Sequence, residues 1–372
     1  MFRIELLPAR HGDCILISYG PVQRPALILI DGGPSACYPV LARRLACLER
    51  ASRKLELVVI THIDSDHIGG IISLLGDRAL GVTYKDLWFN GWKQLSGRLE
   101  GWRCRQGEMP AKTRSPLEGH HAMLRVKQTG ASLNATFAGR AICVAAGEDA
   151  PEVLLDHGLK LTLLSPDVPA LEALRTAWRK ALRRIRVDPD DESAVSSKLA
   201  ADRRYRGPLD LSGDVVHDLA EVAIELDDAV ANGSSIAFIA EYEGKRCAFL
   251  GDAHMPIVEA RVHRLARRYG ERRLRLDAVK VSHHGSKGNT TASFLKLVDC
   301  SRFLISTDGS QFGHPDDEAI ARLLEFGSKP TQLYFNYRNA KSDRWTDAGL
   351  QATLGYSVTC GVEQKGIAVD LL

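Results

Sequence analysis

The chain has 372 residues, 45% of them apolar, with 49 Lys and Arg against 46 Asp and Glu. That is enough apolar material for a large core, and the composition excludes a disordered or collagen-like chain. A net charge of +3 leaves any nucleic-acid footprint to local clusters, and no apolar run reaches the roughly 20 residues that span a bilayer. The eight cysteines form no CxxC pair, and several lie in apolar runs such as DCILIS and RCAFLGD, as free thiols of a reducing compartment do. Charges and Pro8 break up the opening FRIELLPARHGD, so no secretory signal is expected and the protein is placed in the cytoplasm.

In chain order, FRIELL, CILISYG and ALILID read as strands, YPVLARRLACLERAS as an amphipathic helix, and LELVVIT as a further strand. The second half repeats the theme: strands IAFIAEYEG and RCAFLGDA, helix PIVEARVHRLARRYG, strands AVKVSHH and RFLISTDG, then helix DDEAIARLLEFG. Strands in runs with helices following predict sheets covered by helices, an α/β arrangement over a single domain of residues 1–372. Residues 81–230 break the pattern and are expected to contain an insertion, helical and basic at about 171–207, with the run VDPDDES as a loop between helices. Strand ends carry the polar residues: Asp31 closes ALILID, His62 follows LELVVIT, Asp252 closes CAFLGD and His283 follows AVKVS. Such positions are where rigid α/β scaffolds build sites.

The stretch THIDSDHIGG packs His62, Asp64, Asp66 and His67 into one turn directly after a strand. In the extended part His62 and Asp64 face one way, and Asp66 and His67 at the start of a helix serve a neighbouring point. That spacing suits two divalent ions rather than one; the competing reading is a helix cap with incidental histidines.

THxHxDHxGG is the signature of the metallo-β-lactamase fold hydrolases, and this chain resembles it through Thr61, His62, Asp64, Asp66, His67, Gly69 and Gly70. Asp64 stands where most members have histidine. The resemblance continues in family order through DGG at Asp31, GDA at Asp252 and SHHGS at 282–286. Within that superfamily the chain is most similar to the soluble hydrolase domain of the competence protein ComEC and its free-standing relatives. The matches are HxDxDH, the HGDC loop with Asp13, Asn232 and Ser235 in NGSS, Gly251 and Asp252, His283 to Ser286, and Ser306, Gly309, Gly313, His314 and Pro315. The resemblance implies an αββα sandwich with two metal ions at one edge. It implies a first site of His62, Asp64 and the shared Asp252, with Asn232 or water where relatives supply a third histidine. The second site takes Asp66, His67, Asp252 and one of His283 and His284, the former being closer to the strand end. Adjacent histidines after a strand are expected to point apart, leaving His284 for the substrate side. Asp31 and Asp13 are expected near the ligands, Asp31 orienting one of them. An oxygen-rich first site favours manganese over zinc and tolerates magnesium.

The implied activity is a dinuclear-metal phosphodiesterase, a nuclease acting on DNA by attack of a metal-bridging hydroxide, with His314 donating to the leaving oxygen and Ser286 beside the substrate. Two basic clusters fit a phosphate backbone: RTAWRKALRRIR around Trp178, and Arg261, Arg264 and Arg268 at helical spacing after Asp252. Two alternatives remain open. One is a small-molecule hydrolase with an apolar pocket built from Trp88, Phe89 and Trp92, acting on a lactone, thioester or cyclic nucleotide. The other is a binding or sensing module of the same fold with weakened catalysis.

Overall fold

The computed structural model describes residues 1–96, 114–184 and 225–372. Its first sheet has six strands: β1 (Phe2–Leu6), β2 (Ile15–Tyr19), β3 (Ala26–Ile30), β4 (Lys54–Val59), β5 (Thr83–Trp88) and the last strand of the chain, β16 (Ile367–Asp370). They lie in the order β16-β1-β2-β3-β4-β5, antiparallel up to β3 and parallel from β3 to β5. The second sheet has eight: β6 (Glu152–Leu154), β7 (Lys160–Ser165), β8 (Ala237–Tyr242), β9 (Lys245–Phe249), β11 (Ala278–Lys280), β13 (Arg302–Ile305), β14 (Thr331–Phe335) and β15 (Tyr356–Cys360). From β9 through β11, β13 and β14 to β15 the pairing is parallel. Two short strands, β10 (Leu274–Arg275) and β12 (Val298–Asp299), pair apart from both sheets.

The apolar run ALILI of β3 shows why the layers stack. Leu27 and Leu29 join an outer cluster with Leu41, Ile71 and Trp178, whereas Ile28 and Ile30 join an inner one with Phe238, Phe249 and Leu304. Period-2 alternation thus feeds two cores, and a strand buried on both faces reads as a continuous apolar run. Each such side chain contributes about 1.5–3 kcal/mol on burial. The inner core is the seam between the sheets. Helices α1 (Tyr38–Ala46), α2 (Ser65–Gly76), α3 (Trp92–Ser96), α4 (Arg114–Thr129) and α5 (Val168–Arg184) supply residues to the first sheet's outer core. After the short α6 (Val230–Gly233), helices α7 (Met255–Arg268), α8 (Ala292–Leu297) and α9 (Asp317–Phe326) cover the second. Helices, two sheets and helices again make the expected αββα sandwich.

The described residues of the stretch 81–230 join both sheets and the first helical layer. They contribute β5 to the first sheet and β6 and β7 to the second, while α3, α4 and α5 pack on the first sheet. Of the expected basic helix, the part beyond Arg184, with the run VDPDDES, lies outside the described residues. Trp178 is fully buried and donates from Nε1 to His120 Nδ1, so it is core rather than part of a cationic face. The seven described cysteines are free. No helix among the described residues is long and apolar enough to cross a membrane.

One close contact sets the position of α2. The Gly32 N–H donates to His67 O and the Gly70 N–H donates to Gly33 O, so the DGG turn and the helix meet backbone to backbone. A Cβ on Gly70 would stand 2.0 Å from Gly32 O, and one on Gly32 would stand 2.5 Å from Ile71 N. Backbone on both sides leaves nothing flexible to yield. Gly70→Ala is therefore expected to lower unfolding free energy by about 3 kcal/mol, read as a shift in the urea midpoint. An unchanged midpoint would contradict this packing.

Candidate metal centre

The site lies off the carboxyl ends of parallel strands, where α/β sheets place ligands. Asp31 follows β3, His62 follows β4, Asp252 follows β9, His283 and His284 follow β11, and Ser306 follows β13. Both sheets therefore contribute to one edge.

Asp31 organises the first-sheet side. Its carboxylate is fully buried, accepts from the Thr61 N–H at 2.8 Å and the Thr61 hydroxyl at 2.7 Å, and accepts from His67 Nδ1 at 2.7 Å. Because the Thr61 hydroxyl proton is committed to Asp31, Thr61 Oγ1 can accept from His62 Nδ1 at 3.0 Å. One carboxylate thus orients both imidazoles, one directly and one through a hydroxyl, and turns both Nε2 atoms inward. Asp64 occupies the N-cap of α2 yet makes no capping bond. Its Oδ2 lies 3.9 Å from His62 Nε2, and Thr61, a cap candidate from sequence, gives its hydroxyl to Asp31 instead.

On the second-sheet side, the turn Ser282–Gly285 holds His283 (φ 47) and His284 (φ 56) both in the left-handed region. Each such residue costs about 1–2 kcal/mol, and the surroundings must over-determine it. Extended alternation would send one ring away from the site; the left-handed pair brings both in. His283 Nε2 lies 3.7 Å and His284 Nε2 3.8 Å from Asp252 Oδ2. His284, rather than His283, joins Asp66 and His67: its Nε2 is 3.6 Å from Asp66 Oδ2 and 3.2 Å from His67 Nε2.

That last distance has chemical content. His67 Nδ1 donates to Asp31, and His284 Nδ1 donates to the Ser306 carbonyl at 2.9 Å. Both Nε2 atoms therefore turn lone pairs toward each other, which only a proton or a cation between them makes favourable. Ligands about 2.0–2.1 Å from one tetrahedral ion stand at much this separation. Two further atoms, His62 Nε2 and Asp252 Oδ1, are buried without a hydrogen-bond partner. Groups that need a partner and have none in the protein fit a metal ion. His62, His67 and Asp252 form one candidate metal-binding triad, Asp66, His67 and His284 a second, and Asp13, Asp31 and His67 a third. The first two share His67, and Asp252 Oδ2 lies within 4 Å of His284 as well, an arrangement consistent with a dinuclear site.

Electrostatics agree. Burial alone would push the imidazoles down and the carboxylates up. Mutual attraction outweighs it: Asp66 and Asp252 are held below the usual carboxylate range, His67 and His284 are raised, and His283 is held up at about 9 by Asp252 and Asp227. His62 differs. Burial and the charge of His67 lower it, so it offers an unprotonated Nε2.

The remaining expected residues fall as follows. Asp13 is buried and pairs with Lys280 Nζ at 2.5 Å, its other oxygen 3.4 Å from His284 Nδ1, so it backs a candidate ligand. Asn232 Nδ2 donates to Asp227 Oδ2 at 2.8 Å. Ser286 Oγ accepts from the Gly288 N–H. His314 packs edge-on to His283, with ring centroids 5.2 Å apart, and burial lowers its pKa. Of the arginine stripe, Arg261, 6% exposed, turns inward and donates to the carbonyls of Glu148 and Ala145. Arg264, which donates to Glu148 O, and Arg268, which pairs with Glu152, stay exposed. Trp88, Phe89 and Trp92 are buried in the cores.

Two residues escaped sequence reasoning. Asn289 Oδ1 lies 2.9 Å from His283 Nδ1, and Asp227 Oδ2 accepts from both Asn232 and Asn289. Neither sits in a ligand motif; the proximity of Asp227 to NGSS was the one available signal.

Residues 9–99 match the model of the metallo-beta-lactamase superfamily, and the four-layer architecture of both sheets has that fold's topology. The chain has the metallo-β-lactamase fold. Among solved structures it is similar to Zn(2+)-bound PqqB from Methylobacterium extorquens, with TM-score 0.42, 12% identity, and 99% of this chain and 100% of that chain covered. It is also similar to the metallo-beta-lactamase fold protein YhfI from Bacillus subtilis, with TM-score 0.41, 7% identity and both chains fully covered. A mutant of the CmlA beta-hydroxylase follows at TM-score 0.39 and 10% identity, over all of this chain and 54% of that one. No curated protein matches the chain. The fold and the triads together support a metal-dependent hydrolase.

Within this fold the Asp31–His67 contact is expected to set metal affinity. Asp31→Asn keeps the shape but removes the charge that fixes the imidazole, and should weaken zinc or manganese binding about 10–100-fold in equilibrium dialysis. Unchanged affinity would remove Asp31 from the site.

Proposed function

We propose that the protein is a two-metal phosphodiesterase that cuts DNA, related to the hydrolase domain of ComEC as its motif order implies. The observation that carries this reading is Asp252 Oδ2, which has the Nε2 atoms of His62, His67, His283 and His284 at 3.8, 3.4, 3.7 and 3.8 Å. One ion has no use for so many ligands around a single carboxylate oxygen, whereas two adjacent ions do. In this reading His62, Asp64, Asp252 and His283 hold one ion, and Asp66, His67, His284 and Asp252 the other. Manganese or zinc suits these donors, and magnesium is tolerated at the oxygen-rich position.

Bound divalent ions supply Lewis acidity toward a phosphoryl oxygen and bring the pKa of water toward neutrality. The protein's own groups do the rest. Asp31, Thr61 and Ser306 fix the imidazole tautomers before substrate arrives, so little reorganisation accompanies reaction. His314, whose ring stands beside that of His283, would donate a hydrogen bond to a phosphate oxygen. Ser286, in the turn after the histidine pair, borders the phosphate.

The test is cleavage of labelled single- and double-stranded DNA with Mn²⁺, Mg²⁺, Zn²⁺ or chelator, beside a variant carrying Asp66→Ala and His67→Ala. Metal-dependent cutting that the variant lacks is expected. No cutting in any metal, with ions still bound, would overturn the nuclease reading in favour of a small-molecule ester.

A further inference from the structure

An open cavity of about 950 Å³ lies where the short strands β10 and β12 pair. Arg272, Arg273 and Arg275 line it after α7, with Lys296 of α8 and Phe326 at the end of α9. Glu271 and Asp299 are the two carboxylates on its wall. β10 and β12 come just before β11 and β13, so the cavity lies toward the amino ends of those parallel strands, whereas the metal centre lies off their carboxyl ends. It is therefore a different place from the one where hydrolysis is proposed.

The charges around it do not cancel. Glu271 is engaged by Arg246 Nη1 at 2.9 Å and by the Arg275 backbone N–H at 2.7 Å, and Asp299 accepts from the Ser328 hydroxyl at 2.5 Å. Arg273 donates to the carbonyls of Leu295 and Val298, and its Nε has no partner. Lys296 Nζ stands 4.7 Å from the centre of the Phe326 ring. The exposed side chains of Arg272 and Arg275 make no hydrogen bond or ion pair among the described residues. Four cations thus face one concavity without a carboxylate of their own, an arrangement that like-charge repulsion opposes and an anion relieves. Guanidinium forks meet phosphate oxygens two at a time, and the volume is that of a small-molecule site. We propose that this cavity binds a small anion with two adjacent phosphates, held by Arg272, Arg275 and Lys296 around the anchored Arg273. The site does not rest on the nuclease reading, and its test needs no turnover.

Calorimetric titration of inorganic pyrophosphate, adenosine diphosphate and sulfate into the chelator-stripped full chain, in metal-free buffer, tests this. Without divalent ions the carboxylates of the metal centre repel phosphates, so binding there does not interfere. Pyrophosphate should bind at least about tenfold tighter than sulfate, and the double variant Arg272→Gln, Arg275→Gln should lose at least about tenfold of its pyrophosphate affinity. A control pair that removes two exposed charges elsewhere, Arg24→Gln with Arg50→Gln, should keep it. Equal binding of pyrophosphate and adenosine diphosphate would show that the phosphates are the whole of the recognition, and tighter binding of the latter would add the nucleoside; both agree with the proposal. Pyrophosphate binding no better than sulfate, or an equal loss in both double variants, would overturn it. Displacement of pyrophosphate by a short single-stranded DNA, itself dependent on Arg272 and Arg275, would overturn the small ligand in favour of a nucleic-acid strand.

Discussion

An Asp252→Ala variant is expected to lose metal affinity by at least about 100-fold and to lose phosphodiester hydrolysis with it, while staying folded. The lower bound comes from residues that merely orient ligands; Asp252 belongs to a triad that could hold the ion itself. Its side chain is buried at the point where groups from both sheets meet, with one oxygen facing four imidazoles and the other without a hydrogen-bond partner. Removing it takes away the negative charge that a divalent cation requires in a low-dielectric site. The fold should survive, because the buried imidazoles lose their chief counter-charge and can shed protons rather than remain as isolated cations. Metal content after dialysis and circular dichroism separate the two effects. Full metal content in the variant would show that Asp252 is not a ligand.

The largest stability loss is expected from Lys280→Met. Lys280 and Asp13 are 0% and 1% exposed, with Nζ and Oδ2 2.5 Å apart, and the pair ties β11 of the second sheet to the loop between β1 and β2 of the first. Breaking a buried pair leaves the other charge uncompensated and costs about 3–5 kcal/mol. Burial raises the Asp13 pKa, but Lys280 and His284 outweigh that and hold it below the ordinary carboxylate value. Its contribution to stability is therefore complete at neutral pH and disappears only in acid, as pH falls below the ordinary carboxylate range. In Lys280→Met burial is left less opposed, so the acid-dependent loss that Asp13 contributes should shrink. Adding Asp13→Leu removes the stranded charge and should recover much of the difference. Urea unfolding of the parent and the two variants checks this, and a loss under about 1 kcal/mol in Lys280→Met would contradict a buried, desolvated pair.

What sequence could and could not reveal follows from range. The runs ALILI and LELVVI announce strands buried on both faces because alternation and burial are local, and His62, Asp64, Asp66 and His67 stand together because a strand-to-helix turn is local too. The pairing of Asp31 with His67 was open to inference only through the glycines of DGG and DHIGG, whose backbones touch. The reach of both His283 and His284 toward Asp252 was hidden, since it depends on two successive left-handed residues where a strand pattern assumes alternation. Arg261, Arg264 and Arg268 show the opposite limit: helical spacing identifies a stripe but not that Arg261 within it is buried against the Glu148 and Ala145 carbonyls. Lys280 reads as one polar residue in a strand, and only the fold brings Asp13 to it across 267 positions.

The central claim is a pair of adjacent ions that share Asp252 and act on a phosphodiester. The most direct measurement titrates Mn²⁺ or Zn²⁺ into chelator-stripped protein while following hydrolysis of bis(p-nitrophenyl) phosphate. The account predicts that activity develops up to about two equivalents of metal per chain and never appears in Asp252→Ala. Hydrolysis that is complete without added metal, or that Asp252→Ala retains, would contradict it.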